Sequence, residues 1–554
     1  MVPAMLPSPC TRTRRPTRSR IGMVAWILTV AVGALARAQD YSDDERSHWS
    51  FLPRTRPPVP ALTTAEAAWA ATPVDAFLLV RLREAGLTPA PPADRPTLIR
   101  RLTLHLTGLP PTPDEIRQFA ADRAPDADER LIDRLLASPH YGETWGQHWL
   151  DVVRYAESEG FEYDRHRPGA WRFRDYVIES FNRDLPFDQF VVEQLAGDEL
   201  AEQAASAPPA AAPAAEEIAE WQVAAGFHRL GPVRRNAGNS DVAFSRNEVL
   251  TDMTDAIGYA FLGLTVGCAR CHDHMFDPIR QSDYYHLQAF LAATQEHDVR
   301  LGNPETVKRW TEQNDQVQAE IKRLRELLDD AEGDQRDKLT AELRAAQKRL
   351  PPPLPTISSV HNDASQRSVI HVLVRGDTEK PQQRVGPRPL GVLLPPGTPE
   401  LPADVPQPKL VLARWLVDPA HPLTARVLVN RLWHYQFGRG LVATPNDFGV
   451  NGAAPSHPQL LDYLAEELVA GGWSVKRIQR QIVTSAAYRQ SSRWSPCGLQ
   501  SAEASRAALD ASRSFDASTL QSSHDELPPA ADNPPSAVRN LQSLDPDNEL
   551  LWHF

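Results

Sequence analysis

The chain has 554 residues, a formal net charge of −12, 42% hydrophobic residues, 50 prolines and four cysteines. An acidic balance of this size excludes a nucleic-acid binder, because neutralising phosphates needs a basic face, and it argues equally against adhesion to anionic membranes. The length suits two to four domains, four cysteines in so long a chain exclude a disulfide scaffold, and prolines at about twice ordinary usage point to long extended connections.

Residues 1–38 read as a secretory signal peptide. Arg12, Arg14, Arg15, Arg18 and Arg20 form a positive stretch without an acid, residues 21–36 are an uncharged apolar run, and Ala36-Arg37-Ala38 offers an A-x-A cleavage site before Gln39. The run is about 16 residues, short of the roughly 20 that span a bilayer core. Cleavage is therefore expected over retention as a signal-anchor, with no membrane span afterwards and a periplasmic or secreted location. Losing six arginines and no acid with this leader takes the formal charge from −12 to −18.

Residues 39–72 read as an extended N-terminal arm, with Trp49 and Phe51 as docking anchors. From Pro73 the pattern is helical. Thr72 caps a first helix with Pro73 at its first position and Val74, Phe77, Leu78 and Leu82 on its apolar face. Leu98, Ile99, Leu102 and Leu106 continue the block up to Gly108. Thr112-Pro113-Asp114-Glu115 opens the next helix. Ile116, Phe119, Leu131, Ile132 and Leu135 keep helical spacing. Tyr141 to Tyr155 and Trp171 to Phe190 read as two aromatic-rich helices.

Residues 201–216, mostly Ala, Pro, Ser and Glu, read as a flexible insertion. Residues 220–294 are again helical and apolar. Residues 305–350, highly charged with leucines at helical spacing and a break at Gly333, predict an antiparallel helical hairpin, possessing the composition of a projecting, coiled-coil-like arm. Residues 368–374 read as a strand, residues 385–409 as extended, and residues 410–490 as a second helical block. Residues 491–543, rich in Ser, Ala and Asp, are expected to be disordered, and Cys497 within them to be a free thiol that pairs only between molecules.

The motif that carries chemistry is Cys268-Ala269-Arg270-Cys271-His272. C-x-x-C-H is the attachment signature of c-type haem. Two thiols reach the two vinyl carbons of the porphyrin, and the adjacent histidine lies under the iron as proximal ligand. Attachment on the exported side of the membrane agrees with the leader. Two other readings stay open. The pair could form a disulfide in an oxidising compartment, or the cluster could bind zinc, with His272 joined by His274 and Asp277. No methionine suits the opposite axial position, since Met275 is too close in sequence. His228, His286 and His148 are the candidates for a distal ligand.

Two further sets are weaker. Glu157, Glu159, Glu162, Asp164 and Asp175 near Trp171 and Arg172 would suit a carbohydrate-processing site, but read better as a solvated acidic loop. Asn430, Arg431, Trp433 and His434 read as a polar helix–helix contact. No nucleophile elbow, P-loop or Rossmann fingerprint is present.

These residues also carry a resemblance. Arg100 to Thr112 (RRLTLHLTGLPPT), His148-Trp149-Leu150-Asp151, Arg154-Tyr155-Ala156, Phe181-Asn182-Arg183-Asp184, and Gly267 to His274 with Phe276-Asp277-Pro278-Ile279 resemble the PSCyt type of cytochrome-like domain found in planctomycete-type exported proteins. Met275 stands where that family has lysine, which removes a positive charge beside the motif. Leu423 to Arg426, Val429 to Trp433, Phe437 to Gly440, Asp447-Phe448-Gly449, Ser456-His457-Pro458 and Ala486 to Ser491 resemble its usual partner, the PSD type.

The resemblance covers roughly residues 48–493 and implies an exported, mainly α protein with a haem-c-type signature and no known reaction. The expected division is a helical PSCyt-type domain at 73–295, a helical hairpin at 305–350, a β-containing extended connection at 351–409, a shortened PSD-type domain at 410–493, a disordered tail at 494–543 and a remnant of the second domain at 544–554. The expected function is an exported haem-c redox or electron-transfer protein with an unidentified redox partner. The alternatives are a non-redox surface or scaffold protein and a carbohydrate-processing enzyme.

Overall fold

The computed structural model describes residues 41–161, 164–208, 213–233 and 242–491. The expected signal peptide, the expected disordered tail with Cys497 and the C-terminal remnant lie outside the described residues. Among those described there are eighteen α-helices and two two-stranded sheets, so the fold is mainly α. No described helix is long and apolar enough to cross a membrane.

Helix starts follow their caps. Pro73–Glu84 begins where the Asp75 carboxylate accepts the main-chain N–H groups of Ala71 and Thr72, each at 2.8 Å. The same carboxylate reaches the end of the second helical block, taking the N–H groups of Ala486 and Ala487. Pro113–Ala121 opens with a reciprocal cap between Thr112 and Glu115. Arg95–Thr107 ends on Gly108 at φ 67, the left-handed position that glycine takes without steric cost.

The helical and extended blocks share one core. A continuous cluster of buried side chains includes Tyr41 and Phe51 from the arm, Trp145, Trp149 and Phe190 from the first block, and Phe448, Leu464 and Ile478 from the second. The arm holds two short helices, Asp43–Arg46 and Thr64–Trp69, which the extended reading did not foresee. It lies on the second block: Trp49 packs against Phe448 with ring centroids 5.5 Å apart, and Arg426 donates to the main-chain oxygen of Leu52 at 3.0 Å. Lys409, fully buried, ties the blocks again, with Nζ 2.9 Å from Asp198 and 2.6 Å from the Asn362 oxygen. Beside it the Glu199 carboxylate accepts the N–H groups of Lys409 and Leu410, capping the helix Pro408–Leu416.

Four sequence expectations need correction. Trp171 to Phe190 is two helices, Trp171–Asn182 and Phe187–Ala205, split where Asp184 takes φ 53 and Pro186 removes a donor. The alanine-rich start of the presumed insertion is helical up to Ala205, because alanine is the strongest helix former; residues 209–212 lie outside the description. The strand expected at 368–374 is only β3, His371–Leu373, paired with β4, Pro381–Arg384. The larger sheet was not foreseen: β1, Thr294–Arg300, pairs antiparallel with β2, Thr356–Asn362, and the expected helical hairpin, Pro304–Asp329 and Gly333–Lys348, is the excursion between them.

Candidate functional site

The surroundings shape the turn that carries the cysteines. Helix Val242–Ile257 passes into a π-helical turn, Gly258–Leu262, which Gly263 ends at φ 59. A π turn departs from the regular α-helical ladder and leaves main-chain oxygens in need of donors. Arg431 of the second block supplies them, donating to the oxygen of Ala260 at 2.5 Å and to that of Tyr259. Burial pulls this guanidinium down to about 10. The chain then doubles back tightly: a Cβ at Gly258 would lie 2.4 Å from Val266.

A 3-10 turn, Val266–Arg270, follows. Val266 and Ala269 point into the core, while Cys268, Cys271 and His272 are exposed. The Arg270 oxygen at the end of the turn accepts the Tyr285 hydroxyl at 2.8 Å and the Gln281 amide at 3.0 Å, which fixes the turn to the helix Gln281–Ala289.

Both thiols are free. Cys271 backs onto Gly376, which has φ +74, and a Cβ there would lie 3.2 Å from Sγ. His272 Nδ1 is 2.6 Å from the main-chain oxygen of Asp273. A carbonyl oxygen only accepts, so Nδ1 carries the proton and Nε2 keeps its lone pair toward solvent. A histidine whose second nitrogen is fixed by a carbonyl is prepared to bind a metal through the first. Cys268, Cys271 and His272 therefore fit covalent haem attachment with proximal ligation.

His274 and Asp277 do other work. His274 Nδ1 accepts the N–H of Asp277 at 2.9 Å, and its Nε2 lies 3.3 Å from the Thr265 hydroxyl. With Nδ1 accepting, the 3.4 Å approach of the Asp277 carboxylate to that nitrogen is not an ion pair. Asp277 Oδ1 instead accepts the N–H of Val450. Among the described residues, no three of His, Cys, Asp and Glu come together as a group able to hold a metal ion.

The distal-ligand candidates are each engaged elsewhere. His148 stacks on Tyr435 with centroids 3.7 Å apart, His228 bonds the Leu195 oxygen and His286 that of Gly386. Of the acids near Trp171, Glu159 lines a cavity beside Arg172 and Asp298. Glu157 accepts the Tyr155 hydroxyl, Asp164 accepts the Gly160 N–H and Asp175 pairs with Arg174; Glu162 lies outside the described residues. Of the expected polar helix–helix contact, Arg431 makes the part toward the π turn, whereas Asn430 bonds both main-chain groups of Val442 in the segment after its own helix.

One residue beneath the motif escaped the sequence reading. Asp255 accepts the Tyr284 hydroxyl at 3.1 Å, and a Cβ at Gly267, next to Cys268, would meet its carboxylate at 3.0 Å. Burial, helped by the nearby Asp252 charge, pushes this carboxyl up to about 6. Its one signal in the sequence was an acid set, with Asp252, among Leu250, Met253, Ala256 and Ile257, all of which are core residues.

Residues 73–296 match the family described as PSCyt2, protein of unknown function (DUF1549), and residues 408–523 match PSD1, protein of unknown function (DUF1553). The second match runs past residue 493, the limit expected from the motifs. No curated protein and no solved structure matches the chain. The order and position of the two matches place the chain among the proteins that join a PSCyt-type domain to a following PSD-type domain, both of unknown function.

Proposed function

We propose that the chain is an exported redox or electron-transfer protein that carries haem c on Cys268, Cys271 and His272. The observation that carries this reading is the state of His272: its Nδ1–H is spent on the Asp273 oxygen, while Nε2 stands open beside two free, exposed thiols. Met275 and Phe276, 79% and 51% exposed, and Val450 of the second domain, 50% exposed, supply apolar surface near the motif that a porphyrin would cover. Bound haem would supply one-electron chemistry at iron. The chain's own part is to hold the two sulfurs on a short turn, to fix the imidazole tautomer through Asp273, and to fasten the following loop through Asp277. The zinc reading is less well supported, because His274 and Asp277 already serve that loop.

The test is expression of the whole chain in a host that attaches haem c. A Soret band that survives acid–acetone extraction supports the proposal. A folded, colourless protein from the same host contradicts it.

A further inference from the structure

A second site lies on the other side of the strand that leads to Gly376. Helices Val242–Ile257 and Gln281–Ala289, together with β3 and the residues before it, enclose a cavity of about 330 Å³. That volume is at the small end of the range for ligand pockets. Arg246, Asn247, Gln288 and His371 line one part, Leu250 and Ile370 another, and among the described residues no acidic side chain lines it.

The polar wall has donors without acceptors. Arg246 gives Nη2 to the oxygens of Ala292 and Thr294 and Nε to the Ser368 hydroxyl, which leaves Nη1 for a ligand, and the nearby Glu296 charge favours its protonated form. Burial holds it down at about 10. Gln288 is only 2% exposed, yet its side-chain nitrogen has no partner, and the nitrogen of Asn247 has none either. Buried amides are nearly always paired. All three groups border the same space.

The complementary ligand is an anion with planar acceptors. A single guanidinium matches a single negative charge, which favours a carboxylate over a phosphate, and the apolar wall favours a hydrocarbon body. We propose that this cavity binds a small organic monocarboxylate, its carboxylate held by Arg246, Asn247 and Gln288 and its apolar body against Leu250 and Ile370. The inference does not depend on haem attachment.

The test uses the full mature chain with benzoate and butyrate as probes and butyramide and inorganic phosphate as controls, in titration calorimetry. Two variants spare the Arg246 tethers: Gln288→Met removes one amide, and Val369→Trp places a ring at the rim from a residue that is 58% exposed. The expected result is saturable binding of at least one carboxylate, with both controls and both variants weaker by at least about tenfold. Gln288→Met should also raise the Tm of the free protein, because it removes an unpaired buried amide; a residue kept for stability alone would lower it. Absence of saturable carboxylate binding, equal affinity for phosphate, or unchanged affinity in both variants would overturn the proposal.

Discussion

Asp277 Oδ1 accepts the main-chain N–H of Val450 at 2.6 Å, so the loop behind the C-x-x-C-H turn is fastened to the second domain. The fit leaves no room at the next residue back: a Cβ at Gly449 would lie 2.3 Å from the same oxygen. Asp277→Ala removes the charged acceptor of the part-buried Val450 N–H and should cost about 1–3 kcal/mol. Gly449→Ala should cost a similar amount through overpacking. Urea midpoints of the two variants check this; a loss below about 0.5 kcal/mol in both would show that the joint contributes little.

Asp255 predicts a pH effect of defined sign. Its folded-state value is about 6, while an unfolded aspartate titrates near 4. Between those values the folded chain holds the extra proton. This group's contribution to stability therefore falls as pH rises from about 4 to 6 and stays low above that, by on the order of 3 kcal/mol. Asp255→Asn keeps an oxygen for Tyr284 and does not ionise. It should gain on the wild type as pH rises from about 4 to 7, as read by denaturation at both ends. A constant difference between the two proteins would contradict the assignment.

Arg431 is predicted to be the costliest polar side chain at the joint. Its removal leaves the oxygens of Ala260 and Tyr259 without their donors in a buried place. Arg431→Leu should destabilise by about 2–4 kcal/mol, since two acceptors lose charge-assisted bonds. Arg431→Lys should recover only part of this, because an ammonium lacks the planar fork. Full recovery by lysine in a thermal melt would argue against the fork geometry.

Gly376 should govern access to Cys271. At φ +74 a β-branched residue is strained, and its Cβ would press on Sγ at 3.2 Å. In the chain made without haem-attachment machinery, Gly376→Val is expected to slow alkylation of Cys271 by iodoacetamide relative to Cys268, as followed by peptide mass spectrometry. Equal rates at both thiols would remove Gly376 from the site.

Local chemistry was legible in the sequence, and non-local pairing was not. Thr72 before Pro73, Thr112 with Glu115, and Gly108 each declared a helix end, because capping acts within four residues. β1 reads TQEHDVR, mostly polar, and its partner β2 lies beyond a helical hairpin, so neither period nor neighbour announced the sheet. At the site, C-x-x-C-H gave the three proposed attachment residues from spacing alone. Asp255 and Gly376 come from before and well after the motif, and their place beneath Gly267 and against Cys271 depends on packing that sequence spacing does not encode.

The central claim is covalent haem on the Cys268–His272 turn, and one spectrum tests it most directly. The full chain is made with working haem-attachment machinery, beside Cys268→Ala/Cys271→Ala and His272→Ala. The account predicts an acid–acetone-resistant Soret band in the wild type, none in the double cysteine variant, and a shifted band with altered axial ligation in His272→Ala. A folded wild-type protein without that band, or a resistant band that persists when both cysteines are gone, would contradict it.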